Sequence, residues 1–410
     1  MKNKNLLFIS DIVPYPPNTG IKIRTYNILK QLSKEFNIYL IAFNHKLFLN
    51  NKKEIDNAKC CLKPFCREVY VLEIPSDKNK ITYYLCLIKN LLSIKPYRVE
   101  RYWSKECINI IKKLISDVSI DIIHLDKSEL YEYSKYFNKK PCVITNHNVE
   151  SKLMKYRAKY EINFLRKLYA LIQYVKTEKY EKNTLNNASA FITCTKDDHK
   201  YFEKELNVNN LFTVIENGVD VDRYKPRFEF EDDYFLIIGA QSKEATANYD
   251  ATMYFMDKIW PEIVRQLPEV KLKIVGRNPD KSIIEYGIKD PRISVLGFVE
   301  DERDLIEKSL GLLVPLRLGG GSRLKIITAM AMGKTVISTT IGAEGIEYKN
   351  NSNILIEDDP QQFALKVVEL YYDKDLRCKL GGNAIQLVHN VYDWNIIGNK
   401  INNFYKDILK

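Results

Sequence analysis

Arg323 and Lys325 follow three consecutive glycines, Gly319, Gly320 and Gly321, and Ser322, in the segment PLRLGGGSRLKIITAMAMGKTVISTT at 315–340. The segment reads as a short apolar strand ending at Leu316, a glycine turn, a helix opening near Ser322 and stopping at Gly333, and a second strand, TVIST. Glycines let the main chain come close to an anion, and the unpaired N–H groups and dipole of a helix start favour negative charge. Dipole complementarity alone would place carboxylates in that first turn. Two cations there make sense if they await an anion, and phosphate has the matching chemistry. A tight turn beside two solvated cations is the competing explanation.

Elements that could position such a loop recur along the chain. Apolar, β-branched runs stand at 6–10, 38–43, 69–74, 120–125, 142–147, 190–195 and 212–218, then at 234–240, 272–276, 293–298, 312–316, 335–339 and 354–357. Segments of helical length separate them, among them 247–265, 322–333 and 360–374. Continuous apolar strands alternating with helices predict α/β architecture, with parallel sheets covered on both faces. So many strands overfill one sheet, and 410 residues exceed one ordinary core. Two doubly wound units are therefore expected, dividing near VIENGVDVDRYKP (214–226), where Asn217-Gly218 signals a turn and Pro226 precedes the acidic run FEFEDD. Ligands of open α/β sheets bind beyond the carboxyl ends of the strands, so a cleft with the two units facing each other is the expected active site.

Composition narrows the class. With 45% hydrophobic and 28% charged residues and no biased tract, the chain is globular. No apolar run reaches the roughly 18 residues of a spanning helix. The N-terminal MKNKNLLFISDIVPYPP reads as a first core strand running into a proline turn, not a secretory leader, which predicts a cytoplasmic protein. None of the eight cysteines has metal-site spacing, and reduced thiols are expected. Residues 1–200 hold 36 Lys+Arg against 20 Asp+Glu, whereas the remainder holds 27 against 32. A basic first half predicts an anionic partner there. No nucleic-acid-binding signature is present, so an anionic membrane surface or lipid phosphate is the expected one. Two basic, aromatic-rich amphipathic stretches, 78–115 and 152–182, suit peripheral attachment by several cations, although solvated helix faces would explain much of either.

Four sets of residues together resemble glycosyltransferase family four, retaining nucleotide-sugar transferases of GT-B architecture, in its bacterial polysaccharide-assembly branch. They are VPYPPNTGIKIRTYN (13–27), TNHNVES (145–151), IENGVDVDRYKP (215–226), and VGRNP, LGFVED and the glycine loop in the second half, with YDWNIIGNKI (392–401) similar to the tail helix. The resemblance implies two Rossmann-like domains, residues 1–220 on the acceptor side and 221–392 on the nucleotide-sugar side, with 393–410 crossing back to the first. It implies that Gly319, Gly320, Gly321 and Ser322 hold the diphosphate, with Arg323 and Lys325 as its cations. Lys243 would reach a phosphate; Arg277 and the backbone at Gly297, Phe298 and Val299 would line the base pocket. Gly20 and Arg24 would close over the donor, and His147 would stand near the anomeric carbon. Glu344 could reach the sugar or be an ordinary loop carboxylate.

Where the family places a glutamate for the ribose hydroxyls this chain has Thr328, and the partner glutamate of many relatives is Gly320. Exchanging a charged for a neutral hydrogen bond costs about 1–2 kcal/mol, roughly tenfold in affinity. Developing charge on the leaving diphosphate would be met by helix-start amides, Arg323 and Lys325, so no cofactor or divalent metal is expected. No protein nucleophile is nominated. His147 could instead cap its strand end, His124 is expected to be structural, and His45, His199 and His389 to be solvent-exposed. The expected acceptor is a glycan or polyprenyl-linked glycan of surface polysaccharide such as lipopolysaccharide or capsule. A catalytically degenerate scaffold is the alternative that Thr328 raises. A sugar-nucleotide epimerase lacks placeable acid/base carboxylates, and a dinucleotide oxidoreductase lacks GxGxxG after the first strand.

Overall fold

Each sheet is parallel, its apolar strands joined for the most part by helical crossovers. The computed structural model describes residues 4–410 apart from 46–47, 78, 138–139, 162, 228–230, 244 and 320–322. The described residues form two compact units, one reaching to Glu216 and taking in Gly398–Lys410, the other Asn217–Ile397.

The first unit holds β1 (Lys4–Ser10), β2 (Phe36–Asn44), β3 (Glu68–Glu73), β4 (Ile122–Leu125), β5 (Cys142–Asn146), β6 (Ala190–Thr193) and β7 (Phe212–Val214). They lie in the order β3-β2-β1-β4-β5-β6-β7. Register is set by β1, whose Phe8 pairs with Leu40 on one side and His124 on the other. Leu7, Ile9, Ile41, Phe43, Ile123 and Ile144 pack into one cluster. Their alternates Leu6, Phe8, Leu40, Ile122 and Val143 are equally buried, so both faces are covered. The helices that matter below are α1 (Gly20–Leu32), α2 (Lys80–Leu92), α3 (Glu150–Tyr160) and α4 (Phe164–Asn187).

The second unit holds β8 (Tyr234–Ile238), β9 (Lys271–Val275), β10 (Ile293–Gly297), β11 (Gly311–Val314), β12 (Val336–Ser338) and β13 (Leu355–Ile356), ordered β10-β9-β8-β11-β12-β13. Phe235 and Ile237 enter one apolar cluster and Leu236 the other. Its relevant helices are α5 (Thr246–Tyr254) and α6 (Leu324–Ala331). The helix expected at 247–265 is broken by a π turn at Phe255–Ile259 before Trp260–Gln266. Pro261 has no N–H and would clash with the carbonyl four residues back, so the wider turn relieves it. The helix expected at 322–333 is shorter, stopping two residues before Gly333, which turns at φ +69°.

The unit boundary falls a few residues from the expected one. Gly218, read above as a turn signal, is needed for close approach: a Cβ there would lie 2.8 Å from the Trp394 ring. Trp394 opens the last helix, α7 (Trp394–Ile408). Within the first unit the tail of α7 is held by Asn402 Nδ2 donating to the Gln31 carbonyl at 3.2 Å and by Tyr405 against Phe36, ring centroids 5.7 Å apart.

Candidate active site

Both strand orders reverse direction beside their first strand, between β1 and β4 and between β8 and β11. Crevices at such switch points are where parallel sheets bind ligands, because neighbouring loops diverge there.

In the second unit the loops leaving β8, β9 and β10 lie against one another. Gly239 N donates to Val275 O at 2.9 Å and Gly276 N to Gly297 O at 2.8 Å. A Cβ on Gly276 would fall 1.6 Å from Gly239 O, so only glycine closes this floor. Lys325, in the first turn of α6, reaches back over it. Its Nζ donates to Ile238 O and to Asn248 Oδ1 of α5, at 2.5 and 2.9 Å. Burial, with the neighbouring charge of Arg323, pushes the Lys325 ammonium down to about 7. Arg323, at the N-cap of α6, is lowered by burial and partly restored by the charge of Glu344. Gly319 turns at φ +120°, and a Cβ there would meet the Arg323 guanidinium at 2.6 Å. The structure therefore brings Gly319, Arg323, Lys325 and Glu344 to one place beside the ends of β8 and β11. Gly320, Gly321 and Ser322, the expected diphosphate loop, lie outside the described residues.

The flanking residues are more varied. Arg277 stacks on exposed Phe298, 4.7 Å from its ring centroid, beyond β9 and β10. Gly297 turns at φ +68° with open space about it, and Val299 packs on the apolar cluster below. Lys243, expected on a phosphate, is placed 3.5 Å from the Asp280 carboxylate. Thr328 is half-buried one turn beyond Lys325 on α6.

The first unit assembles a buried polar centre at the ends of β1, β4 and β5. Asp126 accepts hydrogen bonds from Thr25 Oγ1 at 2.6 Å, Ser10 Oγ at 3.2 Å and His147 Nε2 at 3.1 Å. Burial alone would raise its pKa, but the charge of His147 and bonds from both histidines hold it well below the carboxylate range. Burial would likewise lower His147, yet the Asp126 charge outweighs this and lifts it to about 10. His124, also beside Asp126, is lowered by burial; its Nδ1 meets the Tyr405 hydroxyl and its Nε2 the Thr145 hydroxyl. One carboxylate thus holds a charged and a neutral imidazole on adjacent strands. His147 is more than a strand cap, and His124 has the structural role expected of it.

Three expectations change here. Arg24 is buried, and its Nη1 donates to Glu216 O at 2.9 Å. Glu216 in turn pairs with Lys400 of α7 at 2.9 Å, so Arg24 ties the tail to α1, whereas Gly20 stands exposed at the start of α1. His45 is not solvent-exposed: its Nε2 lies 2.9 Å from Asp11 O and 3.3 Å from the Tyr102 hydroxyl. His199 stacks on Phe212 at 3.3 Å, leaving His389 as the exposed one of the three.

Sequence reasoning missed Asp126, Thr25, Asp11 and Lys127. Lys127 Nζ pairs with Asp11 at 2.9 Å and lies 3.9 Å from Glu150, which also pairs with Arg98. Glu181 accepts the N–H groups of Glu150 and Ser151 at 2.9 and 3.1 Å and so caps α3, with burial raising it to about 8. The available signal was positional: Asp11 follows Ser10 of β1 and Asp126 follows Leu125 of β4, acids set directly beyond buried strands.

Two Rossmann-like units in one chain, each carrying its polar residues at the carboxyl edge of a parallel sheet, fit the GT-B fold. Sequence comparison agrees: residues 18–223 match Glycosyltransferase Family 4 and residues 233–373 match Glycosyl transferases group 1. The chain belongs to glycosyltransferase family 4. It is 21% identical over 410 residues to an uncharacterized 44.6 kDa protein of the cps region of Klebsiella pneumoniae, covering 95% of this chain and 96% of that one. It is 26% identical over 153 residues to a phosphatidyl-myo-inositol mannosyltransferase of Mycolicibacterium smegmatis, covering 36% and 39% respectively. Among solved structures, HepE of Anabaena in complex with UDP superposes with TM-score 0.67 at 14% identity, covering 98% of this chain and 100% of that one.

Proposed function

We propose that the chain is a retaining hexosyltransferase that moves a sugar from a nucleotide diphosphate to a glycan or lipid-linked acceptor in surface polysaccharide assembly. One observation carries this reading. Lys325 and Arg323 stand together at the β8/β11 switch point, and Lys325 is held by neutral oxygens. A diphosphate would supply the negative charge that Lys325 lacks, and more so as the leaving group gains charge in the transition state. These two cations do the work a divalent ion does elsewhere, so the reaction is metal-independent in this reading. In this reading His147, charged through Asp126, is the first unit's candidate contact for the transferred sugar. Arg277 and Phe298 offer a flat surface for the base, and the Thr328 hydroxyl replaces a carboxylate at the ribose.

The UDP complex of HepE supports a nucleotide donor, and the cps-region relative supports polysaccharide assembly. That the mycobacterial relative is a phosphatidyl-myo-inositol mannosyltransferase supports a lipid acceptor, and with it a peripheral position on the anionic cytoplasmic face of a membrane. Among the described residues no helix is long and apolar enough to cross one. Calorimetry with UDP, GDP and ADP in excess EDTA tests the donor site. Binding of at least one is expected, with Lys325→Ala weakening it about tenfold or more while the thermal midpoint holds. Absence of binding by all three would favour the degenerate scaffold that Thr328 suggests.

A further inference from the structure

Helix α2, KITYYLCLIKNLL, is capped by Asn79 and Thr82 and fastened to the first unit along one side. Its fastening is Asn90, fully buried, whose Nδ2 donates to Lys95 O and Glu100 at 2.8 and 2.9 Å. The same residue accepts from Gln173 Nε2 and Lys176 Nζ of α4 at 2.8 and 2.6 Å. The two helices are thus joined through polar groups that are satisfied, yet both leave apolar stripes in solvent. On α2 these are Ile81, Leu85, Ile88 and Leu92, spaced i, i+4, i+7 and i+11, with Leu92 93% exposed. On α4 they are Phe164, Leu168, Leu171 and Val175 at the same spacing. Helical stripes of this kind are ordinarily buried.

Charge decides what covers them. Residues 79–99 carry four cations and no carboxylate, of which Lys95 and Arg98 pair with Glu132 and Glu150, while 152–177 carry seven cations and one carboxylate, Glu161. A second copy presenting the same face would bring the same excess and be repelled, whereas anionic lipid would neutralise it. Trp103, 41% exposed and stacked on Tyr133, lines with Leu85 and Lys89 a cavity of about 650 Å³ beside α2. An indole at the rim of an apolar, lysine-flanked face suits the boundary between headgroups and acyl chains.

We propose that the first unit inserts the apolar face of α2 and the leading half of α4 into the outer hydrocarbon layer of an anionic bilayer, with Trp103 below the headgroups. This deepens the membrane partner of the function proposed above and rests on that part of it. It differs from adsorption by cations alone, because aliphatic side chains leave water. The acceptor is then one held in the bilayer and presented from it.

The other two tryptophans, Trp260 and Trp394, are only 5% and 4% exposed, which makes Trp103 the reporter of depth. The full chain is mixed with phosphatidylcholine vesicles containing about 30% phosphatidylglycerol, with or without bromines on the acyl chains. Brominated vesicles should reduce tryptophan emission, and Trp103→Phe should abolish the reduction. In about 0.5 M salt, where Coulomb attraction is screened, part of the binding should persist. The double variant Leu85→Ser/Ile88→Ser should lower that remainder about tenfold. Co-sedimentation without quenching, or binding abolished by salt, would overturn insertion in favour of electrostatic adsorption. A dimer that forms without vesicles and is lost in the double variant would overturn it in favour of self-association. Since no nucleotide or sugar enters the experiment, its failure leaves the transferase reading standing.

Discussion

The ammonium of Lys325 donates to two neutral oxygens, and burial with the nearby Arg323 pushes it down to about 7. An anion arriving beside it would return its pKa toward the ordinary lysine range. Near neutral pH the free protein holds this lysine only partly protonated, whereas the complex holds it fully protonated, so binding takes up a proton. Affinity for UDP should therefore weaken as pH rises above about 7 and level off below it. Calorimetry in buffers of different ionisation enthalpy should show uptake of up to one proton, absent in Lys325→Met. The same lysine acts on folding with a definite sign. Its native pKa is below the unfolded value, so the unfolded chain binds more protons between about 7 and 10.5, and stability rises with pH across that window. His147 has the opposite sign. Its native pKa is raised to about 10, and the stability it gains beside Asp126 is present below its unfolded value and lost as pH rises through about 10.

Among elements, the glycines separate close packing from chain freedom. Gly276→Ala should drive a methyl into Gly239 O, 1.6 Å away, and cost about 3 kcal/mol or more, as overpacking against rigid backbone does. Gly382, inside the helix Lys374–Leu387, has nothing within 4 Å of its missing Cβ, and Gly382→Ala should gain about 0.5–1 kcal/mol in helix propensity. Denaturant titration of the two variants against the parent checks both signs. The strands were almost wholly readable from the sequence: each run from LLFIS to ILIE overlaps an observed strand, because most are buried on both faces and the more exposed β3, β7 and β10 still carry β-branched or aromatic residues. The Arg323–Lys325 pair was readable too, since its meaning lies in cations at a helix start. The Asp126 centre was not. Thr25, Asp126 and His147 come from α1, the end of β4 and the end of β5, and only the strand order brings them together. Arg24 misled for the same reason, since nothing local shows that a helix cation will turn inward to the carbonyl of Glu216.

On the scale of the molecule, the two units have separate apolar clusters, and the end of the chain belongs to the first of them. Tyr405 makes that attachment matter for the site. It is fully buried, its ring lies 6.2 Å from the His124 ring and nearly parallel to it, and its hydroxyl meets His124 Nδ1. Truncating it removes a large aromatic from the core and leaves a buried imidazole nitrogen without its partner. Tyr405→Ala should cost the first unit about 3–5 kcal/mol, whereas Tyr405→Phe, which keeps the ring, should cost about 1–3. For a unit of this size the alanine variant should lower the melting midpoint by roughly 6–20 °C. Scanning calorimetry is the measurement, because it resolves units that melt separately. A first-unit transition that moves while the other stays in place would mean that the tail stabilises only the unit it packs on. Equal movement of the whole endotherm would mean instead that the chain melts as one cooperative body, and the separate clusters would not act as separate folding units.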